Sequence, residues 1–197
     1  MSSSLATARC STGRNVQRDR LIAAARTAFT AHGYHGTTMD TVSAVADVAK
    51  PVLYRYFSTK SELYLAVILD YLDELTDRLR VARDTATSDF DRVRHTVGIL
   101  FDSRPHSTPE LVFGSGIIGD HTIDTRIATG TAEFVAGLAT HLHPAGRVRH
   151  RHRLLAYGLI GATLAAAGEW HRQGQPIAEQ SAVETIARWY CSGVREG

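Results

Sequence analysis

Apolar residues along this chain recur three and four positions apart almost from end to end, the spacing of one face of an α-helix. Leu21, Ala25, Ala28 and Phe29 set that pattern for a first helix from about Val16 to His32, and Gly33, free to take a positive φ, ends it. Thr38 reads as the N-cap of a second helix, with Asp40 in the first turn facing the positive dipole end and Met39, Val42 and Ala46 inward. A turn over Asp47, Val48 and Ala49 leads to a third helix, roughly Lys50 to Phe57. There Leu53 and Phe57, four apart, point inward and Val48 plugs the turn. Thr59-Lys60-Ser61-Glu62 matches a capping box, in which hydroxyl and carboxylate each satisfy a free backbone N–H. It opens a long fourth helix striped by Leu63, Val67, Tyr71, Leu75 and Leu79 and widened by Tyr64, Ile68 and Leu72.

Further on, a fifth helix fits Phe90 to Ser103, stopped by Arg104-Pro105. Residues 106–120 carry glycines and a proline around apolar pairs and predict short helical pieces. Helices then fit about Thr122 to His141, Arg147 to Gln173 and Pro176 to Cys191, with Pro176 in a first turn. With five prolines in 197 residues and many alanines, the expectation is an all-α protein of about nine helices. Residues 1–14, rich in Ser, Thr and Arg, read as a disordered arm. A small domain follows over 15–60, and a larger helical domain over 61–197.

Net charge is only +2, but it is unevenly placed. Residues 1–60 hold eight Lys/Arg (Arg9, Arg14, Arg18, Arg20, Arg26, Lys50, Arg55, Lys60) against Asp19, Asp40 and Asp47, while the remainder is mildly acidic. A basic head on an acidic body fits a nucleic-acid-binding end joined to something else; a solvated basic face would look the same. Two cysteines, Cys10 and Cys191, make no disulfide framework. No stretch approaches the ~20 apolar residues of a membrane span, and the N-terminus lacks the apolar run of a signal peptide. A cytoplasmic protein with no membrane partner is expected.

The chemistry concentrates in the two short helices. Such a pair reads DNA when the second helix enters the major groove and the first crosses the backbone. Lys50, Pro51, Tyr54 and Arg55 form one outward face opposite Leu53 and Phe57. Arg55 can fork onto a guanine edge, and Pro51 and Val52 offer apolar contact to a thymine methyl. The hydroxyls of Thr38, Tyr54 and Tyr56 and the ammonium of Lys60 can hold phosphates, which fixes orientation.

The run from Arg18 through Leu65 resembles the DNA-binding region of the tetracycline-repressor (TetR) family of bacterial transcription regulators. The likeness rests on Phe29, Gly33-Tyr34, Thr37-Thr38, Val42, Ala46, Val48, Lys50, Leu53-Tyr54, Tyr56-Phe57, Lys60 and Leu63. Two positions depart from the family pattern: Asp47 stands where a turn glycine is usual, and Ala49 where Ser or Thr often opens the recognition helix. The resemblance implies a three-helix helix–turn–helix head, a helical ligand-binding and dimerising body, and repression relieved by a small molecule. It also implies DNA contacts at Thr38, Lys50, Pro51, Val52, Tyr54, Arg55, Tyr56 and Lys60 on a palindromic operator. By the same resemblance the last two helices pair with their copies into a homodimer, with Trp189 and Tyr190 as candidate anchors; a plain core pair is the other reading of those two. Gly158, Gly161, Ala165 and Gly168 lay small residues along the penultimate helix, suited to close approach of another helix or to simple core packing.

For a ligand, Phe101, Leu111, Phe113, Ile117, Phe134, Leu138 and Tyr157 are the residues that could line an apolar cavity, against ordinary core roles for most of them. No charge marks a polar head group, which favours an acyl chain or another hydrophobic effector. His141, His143, His150 and His152 suggest a metal, but i, i+2 pairs share no helix face and the interleaved arginines repel a cation. No metal, cofactor or catalytic residue is assigned. The rival readings are a DNA-binding regulator without a ligand, an activator, and a helical enzyme, for which no catalytic spacing is present.

Overall fold

The computed structural model describes the backbone at residues 3–101, 112–113, 118–143 and 150–195, and side chains from residue 16 to residue 193 within those ranges. The described residues form helices and no strand. The helices are α1 (Ser3–Gly36), α2 (Met39–Val45), α3 (Lys50–Tyr56), α4 (Lys60–Thr85), α5 (Asp89–Phe101), α6 (His121–Leu142), α7 (His150–Arg172) and α8 (Glu179–Arg195). The all-α expectation holds, with eight helices among the described residues in place of about nine.

Where boundaries differ, the reasons are local. Residues 3–14, expected as an arm, continue α1 toward the N-terminus. Apart from Gly13 that segment contains no helix breaker, and Leu5, Ala6 and Ala8 favour the helix. Gly33 bends the chain as expected, with φ 67° and ψ 176°, before a last helical turn to Gly36. Pro176 does not open the final helix. Instead α7 ends with Gly174 and Gln175 both at positive φ, and residues 176–178 run as a link to α8. The Trp170 indole donates 2.9 Å to the Ile177 carbonyl and ties that link down.

Two compact units result, the first made of Met1–Asp70 with Gly116–Arg126 and the second of Tyr71–Ser115 with Ile127–Gly197. In the first, or head, α1 packs on α2 and α2 on α3. Its core holds Leu21, Ala25, Phe29, Val42, Leu53, Leu63 and Val67 at 0% exposure. The head takes in the start of α4, beyond the expected boundary at residue 60, because Leu63, Tyr64 and Val67 belong to that core. In the second unit, the body, α5 packs on both α7 and α8. The α4 stripe stays buried throughout: Tyr71, Leu72, Leu75 and Leu79 all lie inside.

Candidate DNA-binding surface

The local chain around α2 is fixed by hydroxyls. Thr37 is fully buried, its Oγ1 within 3.1 Å of the Ala28 carbonyl and 2.8 Å of the Gly33 carbonyl. Thr38 caps α2 as expected: the Thr41 N–H donates 3.1 Å to its Oγ1. At the other end the Val48 N–H donates to the Ser43 carbonyl (3.1 Å) and the Asp47 N–H to the Ala44 carbonyl (3.2 Å). That pair of bonds is a Schellman stop, and it requires the left-handed residue at Asp47, where φ is 52°. Ala49 precedes α3 with no side-chain cap, and Pro51 sits in the first turn.

With the turn set this way, α3 presents the face read from its sequence. Leu53 and Phe57 are buried, at 0% and 5% exposure, while Lys50, Pro51, Tyr54 and Arg55 stand in solvent. Val52 and Tyr56 are half-buried, and the Arg55 guanidinium lies 5.4 Å from the Tyr56 ring centroid. The Lys50 ammonium meets Asp40 Oδ2 at 2.7 Å, joining the first turns of α2 and α3. Arg18 of α1 lies over the Phe57 ring at 5.5 Å, so a second cation borders the end of α3.

Lys60 is placed differently from the others. Its ammonium donates to the Tyr34 carbonyl (2.9 Å) and the Thr37 carbonyl (3.0 Å) and sits 4.3 Å from the Tyr34 ring. Two of its three N–H groups are therefore spent on bracing the connection into α2. Next to it Glu62 and Thr59 cap α4, with one shift from expectation: the Glu62 carboxylate takes the N–H of Ser58, not that of Thr59, at 2.9 Å.

Sequence reasoning missed a further joint. Asp120, at the entry to α6, caps Ile123 with Oδ1 (3.2 Å) and accepts the Ser61 hydroxyl on Oδ2 (3.2 Å). Burial pushes the nearby Tyr34 hydroxyl pKa up, against a hydrogen bond with Ser61, and the Asp120 and Asp124 carboxylates add to the rise. No local pattern links positions 59 residues apart, so only the fold could reveal it.

The residues named for the body are less concentrated. Phe101, Phe134 and Leu138 are buried core, with Phe101 edge-on to Trp170 at 5.3 Å and Phe113 tilted against Phe134 at 6.0 Å. Leu111 and Ile117 lie outside the described residues. Tyr157 is 47% exposed, because the inward face of α7 is Ala156, Ile160, Thr163 and Ala167. Two described cavities, of about 500 and 740 Å³, open on the body, and neither is lined by these seven residues. Gly158, Gly161 and Ala165 are exposed and Trp189 is 60% exposed, whereas Tyr190 is buried with its hydroxyl 3.4 Å from His143 Nε2. His143 also stacks on His152 at 4.5 Å, and among the described residues no three His, Cys, Asp or Glu side chains are grouped to hold a metal.

Fold and surface define the class: a helix–turn–helix DNA-binding protein with a helical body. Comparison with known proteins agrees. The profile of the bacterial regulatory proteins of the tetR family matches residues 21–67. The HTH-type transcriptional activator FasR of Mycolicibacterium smegmatis is 32% identical over 184 residues, covering 92% of this chain and 84% of that protein. The transcriptional repressor KstR2 of the same organism is 29% identical over 96 residues, covering 49% of this chain and 47% of its own. Among solved structures, the fatty acid degradation regulator FadR from Bacillus halodurans aligns with a TM-score of 0.73 at 17% identity, covering 91% and 96% of the two chains. FadR from Bacillus subtilis in complex with stearoyl-CoA aligns with 0.64 at 15%, covering 88% and 97%. The chain belongs to the TetR family of transcriptional regulators. Its relatives and neighbours are regulators, which answers the enzyme reading. No helix among the described residues is long and apolar enough to cross a membrane.

Proposed function

We propose that this regulator binds a palindromic operator as a homodimer, reading the major groove with α3, and that a fatty-acyl ligand in the body controls it. The observation that carries the DNA reading is the exposed Lys50-Pro51-Tyr54-Arg55 face directly opposite the buried Leu53 and Phe57. In this reading Arg55 forks onto guanine, and Pro51 and Val52 meet a thymine methyl. Thr38, Tyr54 and Tyr56 hold phosphates, while Lys60 braces the motif and keeps one N–H for the backbone. Selecting duplexes from a random pool tests it: the wild type should recover one inverted repeat. Arg55→Ala should lose about 1–3 kcal/mol of base discrimination at one position of each half-site while remaining folded. Recovery of no preferred sequence at low salt rejects the proposal.

Dimerisation through α7 and α8 is supported by what those helices leave outside. Leu154, Tyr157 and Trp189 are 70%, 47% and 60% exposed, and a Cβ placed on Gly158 or Gly161 would meet nothing within 4 Å among the described residues. The ligand class is supported by the fold likeness to a regulator in complex with stearoyl-CoA and by the aromatic interior of the body. Stearoyl-CoA titrated into the protein–operator complex should shift operator affinity, and an unchanged affinity at saturation would remove it as the effector. For the direction of control, activation is favoured by FasR, which matches along most of the chain. Repression, the second reading, is favoured by KstR2 over about half of it. A reporter driven from the selected operator separates the two.

A further inference from the structure

Lys50 opens α3, and its ammonium is held 2.7 Å from the Asp40 carboxylate, with side chains 57% and 63% exposed. An ion pair so exposed adds little to stability, so the fold does not depend on it. Nor does α2 need Asp40 as a cap, because Thr38 already fills that place. A carboxylate paired with Lys50, on a surface read as facing DNA, also works against a polyanion. What the pair does change is the reward for bringing Lys50 to DNA. Asp40 neutralises the charge of the ammonium it holds, so a phosphate meets a pair with no net charge and a contact to an arbitrary backbone gains little. A guanine edge in the groove offers two acceptors in fixed positions, and there the exchange is favourable. Specificity is the difference between those two affinities.

We propose that Asp40 is a specificity-determining residue acting through Lys50: it holds the ammonium on non-cognate DNA and releases it only to a matching operator. The inference rests on Lys50 facing DNA. It is tested with the duplex that the wild type recovers from a random pool and with a scrambled duplex of the same composition, each measured across a range of salt concentrations. Asp40→Asn keeps the side-chain shape, and an unchanged circular dichroism spectrum with a cooperative unfolding transition establishes that it is folded. It should bind the scrambled duplex about five- to tenfold more tightly, with a log–log salt slope steeper by about 0.9, the signature of one added phosphate contact. Affinity for the recovered duplex should change less, so the ratio between the two falls. Adding Lys50→Ala to Asp40→Asn should erase both gains. If the gains survive in the double variant, Asp40 acts by its own repulsion of phosphates and the inference is overturned; no gain in Asp40→Asn overturns it as well. If Lys50→Ala alone binds the recovered duplex like the wild type, Lys50 is not at the interface and the inference falls with that contact, while recovery of a palindrome would still uphold the reading of DNA.

Discussion

At Asp47 the chain adopts φ 52°, a conformation that glycine takes without penalty and other L residues take at a cost of roughly 1–2 kcal/mol, least for Asp and Asn. Asp47→Gly should therefore raise stability by up to about 1 kcal/mol, and Asp47→Val should lower it by at least that much, both read from urea unfolding. The family resemblance pointed to this position, since Asp47 stands where the turn glycine is usual. Thr37 makes a second residue-scale case. Its hydroxyl is buried beside two carbonyls, so Thr37→Val should cost about 1–3 kcal/mol by stranding them. Lys60 shows where legibility stops. A sequence marks a cation but not its acceptors, and here those are carbonyls 26 and 23 residues earlier in the chain.

Among elements, periodicity was enough wherever one face is buried. Every residue of the α4 stripe and of the α1 pattern lies where spacing put it, because a helix has only one way to turn four apolar rows inward. It was not enough on α7, whose two faces are both apolar. Ala156, Ile160, Thr163 and Ala167 turn inward, while Leu154, Gly158, Gly161 and Ala165 turn outward, and Tyr157, named as a cavity candidate, lies with the outward set. Trp189 and Tyr190 are similarly parted by a single step of the helix, one exposed and one buried. The outward glycines give an element-scale prediction. With no neighbour among the described residues within 4 Å of an added Cβ at Gly161, Gly161→Ala should stabilise an isolated chain by about 1 kcal/mol. Gly161→Leu should instead separate a dimer packed through this face, as read by sedimentation velocity.

For the molecule as a whole, acid is the informative perturbation. His141 has a buried Nε2 with no hydrogen-bond partner among the described residues, and burial, aided by Arg92 and Arg83, lowers its pKa from 6.5 to about 4. Burial lowers His143 as well, with His152 and Arg151 adding to the effect against Asp89. Between pH 6.5 and about 4 the unfolded chain thus binds protons that the folded chain refuses. The stability these groups supply is complete above 6.5 and is lost as pH falls toward 4, and His141→Asn should flatten that dependence in urea titrations. That Gly116–Arg126 groups with the head could not be foreseen, since the Ser61–Asp120 bond joins distant positions.

The bare glycines of α7 carry one more consequence. A helix that keeps Gly158 and Gly161 in water accepts a weakened backbone that its own fold does nothing to compensate. If a second copy covers them, the compensation arrives by mass action, and heat resistance becomes a property of the solution as much as of the chain. Diluting the protein should then lower its melting temperature, and Gly161→Leu should make that temperature indifferent to dilution.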